Sequence, residues 1–186
     1  LISTNFVNNK LLLSGFNPAT FGLVWAVFAA IHIIVIMLVQ RQGKEIYRLQ
    51  SDTLKKLALV GVIHGVGILF TWTSLDYLSP SLAALIWRFL PVLMLLLGVA
   101  FLGEQISTYE VFPIALMVIG AFVSVATAWD EFGIGVILAV IACFITAVQM
   151  VIVKQAVRDI SPELLALYRN GVGAIVIALW GFSTQQ

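Results

Sequence analysis

Charged side chains are scarce in this sequence. Ten Lys and Arg with nine Asp and Glu make up 10% of the 186 residues, whereas soluble domains carry about 25%. With 61% hydrophobic residues and a mean hydropathy of +1.07, the chain does not read as a soluble domain. A formal net charge of +1 leaves no basic field for nucleic acid. The single cysteine, Cys143, cannot form an intrachain disulfide and reads as a small buried apolar residue. No H-E-x-x-H cluster is present, and no two aspartates share an apolar run. That argues against a membrane metalloprotease or an aspartyl enzyme, and no metal or cofactor is expected. No basic n-region with a cleavage site opens the chain.

What is there is a series of apolar runs near the ~20 residues needed to cross a bilayer. Seven are predicted: 1–13 (too short to span alone), 20–39, 57–75, 81–102, 109–128, 133–153 and 163–182. Basic residues sort to alternate connections. Arg41, Lys44, Arg48, Lys55 and Lys56 fall between the second and third runs, and Lys154 and Arg158 follow the sixth. The intervening connections, 14–19, 76–80 and 129–132, hold no Lys or Arg, only Asp76, Asp130 and Glu131. The positive-inside rule places the Arg41–Lys56 loop in the cytoplasm. Lys10, at the opposite face, is the exception and is expected to snorkel.

The fourth run, SLAALIWRFLPVLMLLLGVAFLGE, holds Arg88 and Pro91 inside an otherwise apolar span and closes on Gly103-Glu104. An arginine within hydrocarbon is costly, and a proline there frees a backbone carbonyl. Both point to a span that faces protein or a cavity.

Residues 1–42 align with 145–186 at a constant offset of 144. Val7, Lys10, Pro18, Leu23, Ala30, Ile31 and Ile33 meet Val151, Lys154, Pro162, Leu167, Ala174, Ile175 and Ile177. Asn5 and Gln149 match as amides. A lysine closing one helix, then a proline eight residues on opening the next, occurs twice. Five spans separate the copies, so the second enters the membrane from the opposite side. That is the inverted repeat of carriers with one central site. The expected boundaries are 1–128 for the first repeat and 133–186 for the start of the second. Both ends read as cut, and doubling the offset predicts a whole of about 290–300 residues in ten spans.

This order of motifs resembles the EamA-type branch of the drug/metabolite transporter superfamily. The marks are Lys10, Asn17-Pro18, Pro91 and Leu102-Gly103-Glu104, then Lys154, Ser161-Pro162 and Arg169 in the second copy. Trp25 stands where the second copy has Arg169. The resemblance implies an all-α membrane protein, a multi-span helical bundle built from inverted five-helix repeats, present here to about seven spans. It implies a central cavity and the transport of small organic metabolites or drugs, usually outward across a bacterial inner membrane. The expected partners are a small-molecule solute and the bilayer, with a coupling proton or ion left open.

Arg88 fits a carboxylate bidentately, or else serves as a structural arginine paired with Asp76 or helix-end carbonyls. His64, between Gly61 and Gly65 in GVIHGVG, reads as a hydrogen-bonded residue at a tight helix contact or as a proton-coupling group. Trp72 and Trp87 read as interface anchors or vestibule walls. Asn5 and Asn9 make the first span polar enough to face a cavity. Arg169 and Glu104 read as residues that hold helix ends, with Pro18, Pro91 and Pro162 as structural marks. A membrane scaffold or an intramembrane enzyme is the alternative reading. No acidic residue lies deep in a span, so carboxylate-based proton exchange is not evident.

Overall fold

The computed structural model describes residues 2–40, 49–127, 133–156 and 160–184. Arg41, Lys44, Arg48 and Arg158 of the basic connections lie outside the described residues, as do Asp130 and Glu131. Among the described residues the regular structure is helical. In chain order the helices are α1 (Ile2–Leu13), α2 (Pro18–Val39), α3 (Ser51–Tyr77), α4 (Pro80–Ile86), α5 (Leu90–Leu102), α6 (Thr108–Thr127), α7 (Ile134–Ala156) and α8 (Pro162–Thr184). Among the described residues five stretches are long and apolar enough to cross a membrane: α2, α3, α4 with α5, α7 and α8. The 12 residues of α1 reach about 18 Å at 1.5 Å per residue, short of a ~30 Å hydrocarbon core.

Three helices begin with the same device. Asn17 Oδ1 accepts the N–H of Thr20 at 2.7 Å. Ser79 Oγ and Ser161 Oγ accept the N–H of Leu82 and Leu164, each at 3.4 Å. Each cap is followed by a proline, Pro18, Pro80 or Pro162, as the first helical residue. A proline there gives up only an N–H that has no intrahelical partner, and its fixed φ starts the helix sharply.

The fourth predicted span is one crossing in two pieces. A 3-10 turn over Trp87–Phe89 separates α4 from α5. Pro91 cannot donate to the carbonyl one turn back. The tighter turn instead sends the Leu90 N–H to the Trp87 carbonyl, so the proline is absorbed without an open kink. At its far end α5 stops on Gly103, at φ 67° and ψ 26°. This left-handed geometry suits glycine, and it turns the Glu104 N–H back to the Gly98 carbonyl at 3.3 Å.

The third span runs longer than its apolar core, covering 27 residues rather than 57–75. Asp76 and Tyr77 belong to its last turn instead of a connecting loop. The Lys10 ammonium explains the extension: it donates to the carbonyls of Leu75 and Asp76. A cation at a helix C-terminus satisfies orphan carbonyls and complements the helix dipole.

α3 is the hub of the bundle. It packs extensively against α7 and α8 and also meets α2. α7 and α8 follow each other in sequence yet pack along α3 and barely touch one another. α6 meets the rest chiefly at α4 and the 3-10 turn. In lipid, apolar area gives no drive for helix association, so close contact rests on small residues. A Cβ on Gly61 would lie 2.5 Å from Val172 Cβ and 2.9 Å from the Tyr168 carbonyl oxygen. One on Gly65 would lie 2.8 Å from the Gly173 carbonyl oxygen. The GVIHGVG segment is thus a notch that receives α8. Trp72 is 6% exposed; it lies over Gly22 of α2, with the Phe21 ring edge-on at 4.9 Å. It is a core residue of the α2–α3 contact.

Filling the notch tests this packing. Gly61→Leu is expected to cost about 1–3 kcal/mol and to lower the melting temperature of the detergent-solubilised chain. Gly120→Ala, whose Cβ meets nothing within 4 Å, is expected to melt like the parent. A Gly61→Leu variant as stable as the parent contradicts the α3–α8 contact.

Candidate functional site

Where α7 and α8 meet α3, four polar side chains gather inside an apolar bundle. His64 comes from α3, Gln149 from α7, and Arg169 and Asn170 from α8. Gln149 and Asn170 are each 2% exposed. Gln149 Nε2 donates to the Val60 carbonyl at 3.2 Å, tying α7 to α3. Asn170 Nδ2 donates to the Ala166 carbonyl at 2.8 Å, one turn back on its own helix. The side chains of Gln149 and Asn170 face the His64 imidazole, and the Arg169 guanidinium is close enough to act on it electrostatically. Gly173 leaves room for the ring: a Cβ there would be 3.4 Å from His64 Cδ2.

Three buried atoms in this cluster make no hydrogen bond of good geometry: His64 Nε2, Arg169 Nε and Asn170 Oδ1, although the Gln149 and Asn170 side chains lie within reach of the imidazole. Leaving such a group unsatisfied costs roughly 1–3 kcal/mol. Their inventory is complementary. The arginine nitrogen only donates, the asparagine oxygen only accepts, and the imidazole nitrogen does either according to its tautomer. The cluster therefore offers donor and acceptor capacity at the crossing of three helices. Among the described residues no group of His, Cys, Asp or Glu is arranged to hold a metal ion.

Of the residues singled out in the sequence, the structure brings His64 and Arg169 together here. Arg88 lies elsewhere, exposed in the 3-10 turn between α4 and α5, and it makes no ion pair among the described residues. Beside it, Trp87 has its ring 6.5 Å from that of Phe6 and its Nε1 buried without a partner. Asn9 is buried on α1, which packs against α4. The side chain of Asn5 lies outside the described residues. Gln149 and Asn170 were not picked out as site residues. An amide inside each of two apolar runs was the available signal, and which way each pointed depended on packing.

Glu104 closes a second arrangement at the C-terminal end of α7, little more than one turn beyond Gln149. Its carboxylate pairs with Lys154, in the last turn of α7. Gly98 provides the space, since a Cβ there would lie 2.6 Å from Glu104 Oε2. The Gly103-Glu104 ending of α5 is thus a turn that folds a carboxylate back over a glycine and onto a neighbouring helix. The two side chains are 31% and 58% exposed, so the pair contributes at most about 1 kcal/mol. Glu104→Lys is expected to lower the melting temperature slightly. The reversed pair Glu104→Lys with Lys154→Glu is expected to recover most of that loss, and no recovery would show that the two charges do not couple.

Among known families, the model of the EamA-like transporter family matches residues 1–126, more than half of the 186-residue chain. No curated protein matches the chain, and no solved structure does. The match agrees with the bundle of apolar helices, the proline-capped helix starts and the glycine–glutamate ending of α5: the chain belongs to the EamA-like transporter family, a family of multi-pass membrane transporters.

Proposed function

We propose that the protein works in a carrier that moves small organic solutes outward across a bacterial inner membrane by alternating access. The observation that carries this reading is the polar cluster at the crossing of α3 with α7 and α8, where Gln149 and Asn170 are buried and His64 and Arg169 half-buried. Intramembrane polar groups are costly, and their usual place is along a solute or ion path. In the proposed roles, Arg169 Nε and Asn170 Oδ1 meet the polar part of the solute, and His64 serves as a hydrogen-bond partner or carries a coupling proton. Arg88, with Trp87, Asn5 and Asn9 on the α1–α4 side, forms a second contact region for a carboxylate.

The inverted repeat, with residues 1–128 as one copy and 133–186 as the start of the next, supports alternating access. Two features support the repeat itself. α2 and α8 are mates in the internal alignment and pack directly against each other. Lys10 and Lys154 are mates as well, and each ties the last turn of its helix to the end of another, at opposite ends of the bundle. In this reading Lys55, Lys56 and Lys154 face the cytoplasm, and Lys10 faces outward.

Counterflow in proteoliposomes tests the proposal. Saturable exchange of a labelled solute is expected, and its absence across a broad panel of solutes counts against a carrier. Asn170→Leu is expected to reduce exchange by about tenfold or more, the loss of one buried polar contact of up to ~3 kcal/mol. Unchanged exchange at equal protein level removes the cluster from the path. If His64 carries the proton, exchange depends on pH in the parent and loses that dependence in His64→Gln. Arg88→Gln and Arg88→Lys, if both leave exchange of every solute intact, end the role given to Arg88.

A further inference from the structure

A cavity of about 610 Å³ opens between α3, α7 and α8. It arises because α7 and α8 pack on α3 and not on each other. Toward the Tyr77 end of α3 the two helices flank it and leave a wedge. At that end Gly135 lets α7 press on Tyr77 and Leu78. Leu69 and Phe70 of α3 line it, with Leu138 on one side and Val176, Leu179 and Trp180 on the other; Leu179 and Trp180 are 65% and 52% exposed, so the cavity is a groove open on its α8 side. The volume falls in the ~300–1,000 Å³ range of small-molecule sites, which are mostly apolar with a few polar groups.

No charged residue lines the cavity. Its polar groups are Thr73 and Ser183, with the Trp180 indole, all toward the Tyr77 end. Ser183 donates its hydroxyl hydrogen to the Trp180 carbonyl at 2.8 Å, which leaves its oxygen free to accept. The cavity thus has an apolar floor, a ring on α3 and a ring on α8, and two hydroxyls at one end. An ionised group placed in it would be desolvated without a counter-charge. A fatty acyl chain would make no use of the hydroxyls. A flat aromatic body packs well against Phe70 and Trp180, and one hydroxyl on it can reach Thr73 or Ser183.

We propose that this cavity binds an uncharged aromatic solute, with its polar end toward Thr73 and Ser183. The inference rests on the carrier reading above and names a solute class for it. Direct binding tests it without requiring transport. The probe is 2-naphthol, titrated into the full chain in nanodiscs, with empty nanodiscs as the partition control. Saturable binding is expected. 2-Naphthoate and 2-naphthylmethylamine carry the same rings with a charge and are expected not to compete. Leu69→Trp fills the floor and is expected to weaken binding about tenfold, ~1.4 kcal/mol. Thr73→Val keeps the shape and is expected to weaken it about threefold. Both variants are compared at matched melting temperature with Leu59→Trp, an exposed position on the same helix.

Four results overturn the inference: uptake no greater than in empty nanodiscs, equal competition by the charged analogues, binding indifferent to both Leu69→Trp and Thr73→Val, or a lipid-filled cavity. The last is read as acyl-chain density held between α3, α7 and α8 that 2-naphthol does not displace. Saturable counterflow of other solutes without 2-naphthol binding refutes this inference alone. Loss of both refutes the carrier reading as well.

Discussion

The distance between α3 and α8 governs this bundle. Inside a bilayer, helices gain little from burying apolar area, because lipid tails are as apolar as leucine. They gain from close fit. Gly61 and Gly65 strip one face of α3 to backbone, and α8 settles against it with Val172 and Gly173. That approach brings His64 opposite Asn170 and Arg169. A wider crossing would leave these polar groups in lipid or water, and their arrangement would be lost. The same glycines therefore set both the packing and the chemistry.

The polar groups divide into satisfied and unsatisfied sets. Helix ends are settled carefully: Asn17, Ser79 and Ser161 cap N-termini, Lys10 covers the carbonyls that end α3, and Glu104 closes on Lys154. Like the indole nitrogens of Trp72 and Trp87 elsewhere, three buried side-chain atoms at the crossing of α3, α7 and α8 are left without a well-formed hydrogen bond. Stability alone would favour apolar residues there.

Much of this was legible in the sequence for physical reasons. Apolar runs of bilayer length mark the spans, and the Asn/Ser-Pro pairs mark three helix starts. The glycines around His64 announce a tight contact. What stayed hidden depends on contacts distant along the chain. Asp76 and Tyr77 look like a loop until Lys10, 65 residues from Leu75 in sequence, is seen capping them. Trp72 sits near a span end and suits an interface anchor, yet Gly22 on another helix makes its burial possible. Gln149 and Asn170 are single amides in apolar runs. Nothing local says that they face each other's neighbours rather than separate cavities. Arg88, the most conspicuous residue in the sequence, lies outside the cluster, exposed on the 3-10 turn between α4 and α5 rather than at the crossing of α3, α7 and α8.

The poor contact between α7 and α8 has a mechanical meaning. Two helices that share a partner but not an interface have separate attachments to it. Each can tilt or slide on α3 without breaking an interface with the other, although α8 also leans on α2 and α7 on α5. A displacement of one of them reaches the other through α3. The helix that supplies the notch and the histidine is therefore also the route by which the two walls of the wedge are coupled.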